Sequence, residues 1–204
     1  MLFRAVNGKC AFDFDSVTLP RVEALGILKQ EGFRAIETDV VAIARERVGK
    51  AAYRRGAHLF DAPDVFDCSS FTKWVYGLCG VWLPRRPVQQ RECGVRVPLY
   101  QVGAGDLVFT KGARNLYIDD PNEEVGHVGI ATTVGTVIAA HSPDVGVVEI
   151  PLERFVRDRE RFRGVRRVMP KCNVVILETP SRREIETSDD IKWVILRTLP
   201  KVAR

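Results

Sequence analysis

The sequence lacks any run approaching the ~18 uninterrupted apolar residues that a membrane-spanning helix needs, so no membrane span is expected. Its start, Met1-Leu2-Phe3-Arg4-Ala5-Val6-Asn7, has no charged stretch followed by a long apolar one and does not read as a secretory signal. The simple expectation is a cytoplasmic protein. None of the five cysteines (Cys10, Cys68, Cys79, Cys93, Cys172) forms a C-x-x-C pair, which argues against zinc-finger and thioredoxin-type chemistry. An odd number also leaves at least one thiol unpaired. Internal repeats and low-complexity segments are missing. Histidine is scarce: His58, His127 and His141 are the three in the chain.

What is present is the composition of an ordinary soluble protein, 46% hydrophobic and 28% charged over 204 residues. The chain is long enough for one full core with trimmings. A net charge of +5 suits attraction to a polyanionic surface without requiring one. The densest basic run, from Arg154 through Arg157, Arg159, Arg161, Arg163, Arg166 and Arg167 to Lys171, has no aromatic interleaving and is diluted by Asp158 and Glu160. It reads as a solvated face, and no nucleic-acid partner is expected.

The first half of the chain has helical periodicity. A helix is expected after Pro20, with Val22, Leu25 and Leu28 inward, ending at Gly32. A second should begin at Thr38 or Asp39. Residues 50–66 read as a loop carrying Tyr53, Gly56 and His58. A third helix starts at Cys68, with Asp64 and Asp67 as candidate caps and Phe71, Val75 and Leu78 on one face, and runs to about Cys79. Beyond a Pro-rich connection the period changes to two. Short strands are expected at 106–109, 127–130, 137–141, 146–150 and 163–168. The stretch 111–124 reads as an exposed loop. Val174–Leu177 reads as a strand, and a helix or a further strand follows Ser188. Helices followed by strands indicate an α+β layer fold.

Cys68 stands at a helix start, where unpaired N–H groups and the helix dipole favour thiolate, the nucleophilic form. A cysteine nucleophile needs a base and a group to hold that base. His127 and His141 sit on adjacent expected strands joined by a turn near Val134-Gly135, so their rings can lie side by side. The residues alone leave other readings open: a buried inert thiol, satisfied imidazoles, or a metal site built from Cys68, His127 and His141.

The ordered motifs resemble those of the NlpC/P60 family of bacterial cell-wall cysteine peptidases. Asp67-Cys68-Ser69-Ser70-Phe71 resembles its D-C-S-G-F nucleophile motif. Val81-Trp82-Leu83-Pro84-Arg85 with Gln90 resembles its G-V-x-L-P-R segment. Gly105-Asp106-Leu107-Val108-Phe109 and Gly126-His127-Val128-Gly129-Ile130 match its G-D-L-V-F and G-H-V-G-I strands. Val137–His141 and Gly164–Val168 resemble its second-histidine and closing strands. The resemblance runs from about residue 39 to 170. It implies a papain-like domain at 38–170, with extensions at 1–37 and 171–204.

It also implies roles. Cys68 would be the nucleophile, His127 the general base and His141 its orienting partner. Tyr53, in a Y-x-x-G match, would help the Cys68 N–H stabilise an oxyanion. Asp67, Ser69 and Ser70 would line a pocket for the substrate's free amino end. The implied substrate is a peptidoglycan stem peptide cut between γ-D-glutamate and a diamino acid, with no metal or organic cofactor. A thiol-dependent amidase or acyltransferase, or a non-catalytic binding module, are the alternatives. The chain departs from the family pattern at Ser70, which replaces a glycine and is expected to narrow the pocket. It also has a longer stretch between Phe109 and His127, no recognisable wall-binding or SH3-like module, and no visible export signal.

Overall fold

The computed structural model describes residues 2–112, 124–169 and 174–199. In chain order its elements begin with β1 (Lys9–Asp13), α1 (Arg21–Gln30), β2 (Arg34–Ile36), α2 (Val40–Arg45), β3 (Ala52–Tyr53), β4 (Val65–Phe66), α3 (Cys68–Leu78), α4 (Pro87–Gln90) and β5 (Val95–Arg96). They continue with β6 (Leu107–Lys111), β7 (Val125–Ala131), β8 (Thr136–Ser142), β9 (Gly146–Pro151), α5 (Leu152–Phe155), β10 (Phe162–Arg167), β11 (Val174–Glu178) and α6 (Ser188–Thr198). No helix among the described residues is long and apolar enough to cross a membrane.

Two compact units are distinguished. One comprises the described residues within Met1–Thr38, Gly77–Trp82 and Lys171–Arg204. Its sheet has the order β1-β11-β2, with both pairings antiparallel. The segments before residue 38 and after 171, which the sequence presents as separate extensions, therefore share one sheet. α6 follows the helical alternative for the stretch after Ser188. It buries Ile191, Val194 and Ile195 at i, i+3 and i+4. α1 begins after Pro20, as Pro's fixed φ favours, but its buried face is Ala24 and Leu28. Val22, expected inward, is 83% exposed, because it lies off that face.

The other unit comprises Asp39–Tyr76 and Leu83–Pro170. Its antiparallel sheet has the order β5-β10-β6-β7-β8-β9. Alternation sends Val108, Ala131, Val137 and Val165 to one face, where they pack with Val97, and partly buried Leu152, Phe155 and Phe162 lean on them. His127 and His141 lie on the same strand faces as Ala131 and Val137, at the far end of the strands. α2 starts at Asp39, whose carboxylate accepts the Val41 and Ala42 N–H groups. The five main strand expectations match β6 to β10. Most of the expected 111–124 loop lies outside the described residues.

The β7–β8 pairing depends on Gly129. A Cβ there would overlap Val137 Cγ1 and sit 3.1 Å from Ala139 Cβ. Gly129→Ala is expected to cost about 1–3 kcal/mol through overpacking. Urea denaturation should show the loss as a lowered midpoint.

Candidate active site

The residues before α3 form its cap. Asp67 Oδ1 accepts the Ser70 N–H at 2.7 Å, and Ser70 Oγ accepts the Asp67 N–H at 2.9 Å. This reciprocal pair satisfies two backbone donors at the helix start. Asp67 is therefore the cap, and exposed Asp64 is not. Ser70 is fully buried. It closes the cap instead of narrowing the cleft, and it does not line the pocket wall where it was expected. Gln90 holds the same turn from behind. Its Nε2 donates to the Ser69 and Pro84 carbonyls, and its Oε1 accepts from the Thr72 hydroxyl.

Asp67 carries a second set of partners. Arg85 donates through Nη1 to Oδ1 at 3.1 Å and through Nη2 to Oδ2 at 2.6 Å, and the Gly56 N–H donates to Oδ2 at 3.1 Å. The Ser69 hydroxyl is 3.3 Å from Oδ1 and accepts from Arg85 at 2.9 Å. Both carboxylate oxygens are thus occupied by protein donors.

Cys68 occupies the first position of α3, with its sulfur 3.8 Å from the Gly126 carbonyl oxygen on β7. Burial pushes its thiol up to about 12, Asp67 adds to this, and the Val128 and Ser69 backbone N–H groups pull the other way. The helix start does not make a resting thiolate here, because desolvation of the charged form outweighs the amides.

The register explains the histidine pair. Ile130 opposes Ile138 and Ala131 opposes Val137 on β7 and β8. Continued toward the strand ends, that register sets His127 opposite His141. Their rings meet edge-to-face with centroids 5.3 Å apart. Phe155 of α5 stacks on His127, also at 5.3 Å. Among the described residues, His127 Nε2 is buried with no hydrogen-bond partner. Burial lowers the His127 imidazole to about 3, helped by His141 and Arg161. His141 is shifted down as well, by burial and then by Arg154. Phe155 carries no motif that reveals its contact with the histidine. Only the turn of α5 back over the sheet places it there.

Tyr53 reaches the site through backbone pairing. β3 and β4 run parallel, with Tyr53 opposite Phe66, two residues before Cys68. The phenol is shifted upward by burial and by Cys68 and Asp67, so it stays protonated and able to donate. His58 lies outside the site; its backbone N–H donates to Asp61.

These residues share one cleft of about 1110 Å³, whose wall includes Tyr53, Asp67, Cys68, Ser69, His127 and His141. Its volume lies at the upper end for ligand sites and accommodates an extended peptide. Arg154, Arg157 and Arg161 also line it. All three are exposed, as the solvated-face reading expects, and they border the cleft as well. Among the described residues no group of three or more His, Cys, Asp or Glu side chains is placed to hold a metal ion.

The enclosed imidazoles make stability depend on pH. An unfolded histidine takes up a proton near pH 6.5, whereas His127 does so only near 3. Between those values the unfolded chain binds more protons. Stability is therefore full above pH 6.5 and is lost on acidification, by up to about 1.4 kcal/mol per pH unit. Thermal midpoints measured from pH 7 to pH 4 should fall, and His127→Gln should flatten the decline.

Comparison with known proteins gives concordant results. The NlpC/P60 family matches residues 50–159, more than half of the chain. The probable endopeptidase p60 of Listeria innocua is 35% identical over 106 residues, covering 52% of this chain and 20% of that protein. The γ-D-glutamyl-L-lysine dipeptidyl-peptidase of Bacillus cereus is 31% identical over 107 residues, covering 52% of this chain and 29% of that protein. This chain thus spans about a fifth of the length of the p60 relative. The peptidoglycan hydrolase RipB of Mycobacterium tuberculosis superposes with a TM-score of 0.51 at 23% identity, over 74% of this chain and 69% of that one, a likeness of fold. With the motif order from Asp67-Cys68 to the closing strand β10, these matches establish that the chain belongs to the NlpC/P60 family.

Proposed function

We propose that the chain is a cysteine peptidase that hydrolyses an amide bond in peptidoglycan stem peptides, at the γ-D-glutamyl–diamino acid linkage, through a thioester. The observation that carries this reading is the meeting of the Cys68 helix start with the paired His127 and His141 in one peptide-sized cleft. Support for the substrate comes from the names of the p60 and dipeptidyl-peptidase relatives.

The chemistry follows from the protonation states. Burial favours the neutral form of both the thiol and the imidazole. As the sulfur attacks the carbonyl carbon, the thiol proton passes to His127, which creates a charge pair only when the substrate has displaced water. The Cys68 N–H and the Tyr53 hydroxyl donate to the developing oxyanion. His127 returns the proton to the leaving amine, and the C–N bond breaks to leave a thioester. Water then attacks the thioester carbonyl and gives its proton to His127. Collapse of that intermediate expels the sulfur, which regains the proton. His141 and Phe155 keep the imidazole plane in position throughout.

The test is mass spectrometry of L-alanyl-γ-D-glutamyl-diamino acid peptides incubated with the protein, with the amino end free or acetylated. Cleavage after γ-D-glutamate supports the reading. Intact peptides together with an alkylated Cys68 would redirect it to another amide or to acyl transfer, and intact peptides with an unreactive Cys68 to a binding role.

A further inference from the structure

The charge of the cleft is one-sided. Arg85 is paired with Asp67, and Lys111 with Glu124. Setting those pairs aside, the wall still presents Arg55, Arg86, Arg154, Arg157 and Arg161, and among the described residues Asp158 is the one further carboxylate that lines it. Asp158 itself already accepts the Glu160 N–H at 3.0 Å. The cations surround the reacting groups. Arg55 follows Tyr53 by two residues, Arg86 adjoins Arg85, and Arg154 adjoins the Phe155 that stacks on His127. Burial is the main cause that shifts His127 and His141 downward, and Arg161 and Arg154 act in the same direction.

A free amino end needs an acceptor. Among the described residues the one carboxylate beside Cys68 is Asp67, and its oxygens already receive Ser70 N–H, Gly56 N–H and both Arg85 Nη groups. Ser70 is fully buried, and the Ser69 hydroxyl is engaged by Arg85. Among the described residues, an ammonium entering this cleft would meet guanidinium groups and no available carboxylate next to Cys68. Guanidinium groups instead match carboxylates and phosphates in bidentate geometry.

We infer that the cleft selects a polyanionic acyl donor whose amino end is blocked, and disfavours a peptide with a free amino terminus. This rests on the proposed function for the bond that is cut, and it deepens that reading by naming the substrate's charge class. A stem peptide still joined through its amino end, with its carboxylates free, has this chemistry.

Two measurements test it. In the first, kcat/KM is compared for the same stem peptide with a free and with an acetylated amino end. The acetylated form should be favoured by about tenfold, as expected when a like-charge contact is removed. Its KM should rise with added salt, since screening weakens the attraction. The Arg154→Gln, Arg157→Gln double variant should raise that KM and shrink the preference. Equal or better turnover of the free-amine peptide, with a salt-independent KM, would overturn the inference. The second measurement needs no turnover. Titration calorimetry of both peptides against the Cys68→Ala protein should give the same order of affinity and the same salt dependence. If neither peptide is cleaved but the order of binding holds, the bond assignment fails and the charge selectivity stands. If the free-amine peptide binds as tightly as the acetylated one, the selectivity fails whatever the cleavage result.

Discussion

Cys68→Ala is expected to abolish stem-peptide cleavage, lowering kcat by at least about 10³-fold to the level of the uncatalysed background. The change removes one sulfur and leaves the cap intact, because the Asp67 and Ser70 hydrogen bonds involve neither the sulfur nor the Cys68 side chain. No neighbour can replace it. The Ser69 hydroxyl is the nearest alternative in sequence, but it is buried and accepts from Arg85. The variant should fold and keep most of its stability, with a loss of about 1 kcal/mol for a small buried group. Circular dichroism would verify the fold, and product analysis would measure the activity. Cleavage at the original rate by a folded Cys68→Ala protein would remove Cys68 from the mechanism. The wild-type thiol should also alkylate slowly at neutral pH in the absence of substrate. Burial holds it near 12, so the rate should climb only on the alkaline side.

His127→Gln is the second large expected effect. Loss of the base should reduce kcat by about 10²–10⁴-fold while KM changes little, because the ring's role lies in proton transfer and not in holding the peptide. Glutamine keeps a similar length and can still occupy the space beside Phe155, so a packing defect is minimised. The distinguishing readout is the pH profile. In the wild type kcat/KM should reflect the coupled thiol–imidazole pair, and in His127→Gln the imidazole limb should vanish, leaving a rate that rises with hydroxide. An unchanged profile would mean that His127 is only a packing residue. His141→Ala should cost less, about 10²-fold at most, since it acts by orienting the His127 ring across the β7–β8 pair.

The parts of the site that were legible in the sequence are those coded by local rules. Asp64 and Asp67 just ahead of an apolar helical run mark a helix start, so Cys68 is expected in its first turn, and the structure makes Asp67 the cap. The short strands read at 127–130 and 137–141, with a turn near Val134-Gly135 between them, predict an antiparallel pair whose histidine rings can lie side by side. The ordered motifs carried the family and with it the roles expected of Tyr53 and the two histidines.

What escaped the sequence depends on contacts between distant segments. The pairing of β1 and β2 with β11 joins residues 140 or more positions apart, and no local pattern encodes it. Val22 looked inward by periodicity, but the face of α1 is chosen by what packs on it. Arg154, Arg157 and Arg161 are solvated as expected, but charge alone does not reveal that they also border a cleft. Ser70 looked like a pocket residue because a substituted motif position draws attention to the site, whereas its hydroxyl is consumed by the cap.

By itself, then, the sequence determined the position of Cys68 at a helix start, the strand alternation that aligns the histidines and the family, since each is set by spacing along the chain. Only the tertiary structure decided the protonation of the thiol and the imidazoles, the saturation of Asp67 and the cationic wall around them. Desolvation and electrostatic pairing depend on which groups surround an atom in space, and those neighbours come from segments as far apart as Gly56, Arg85 and Arg161.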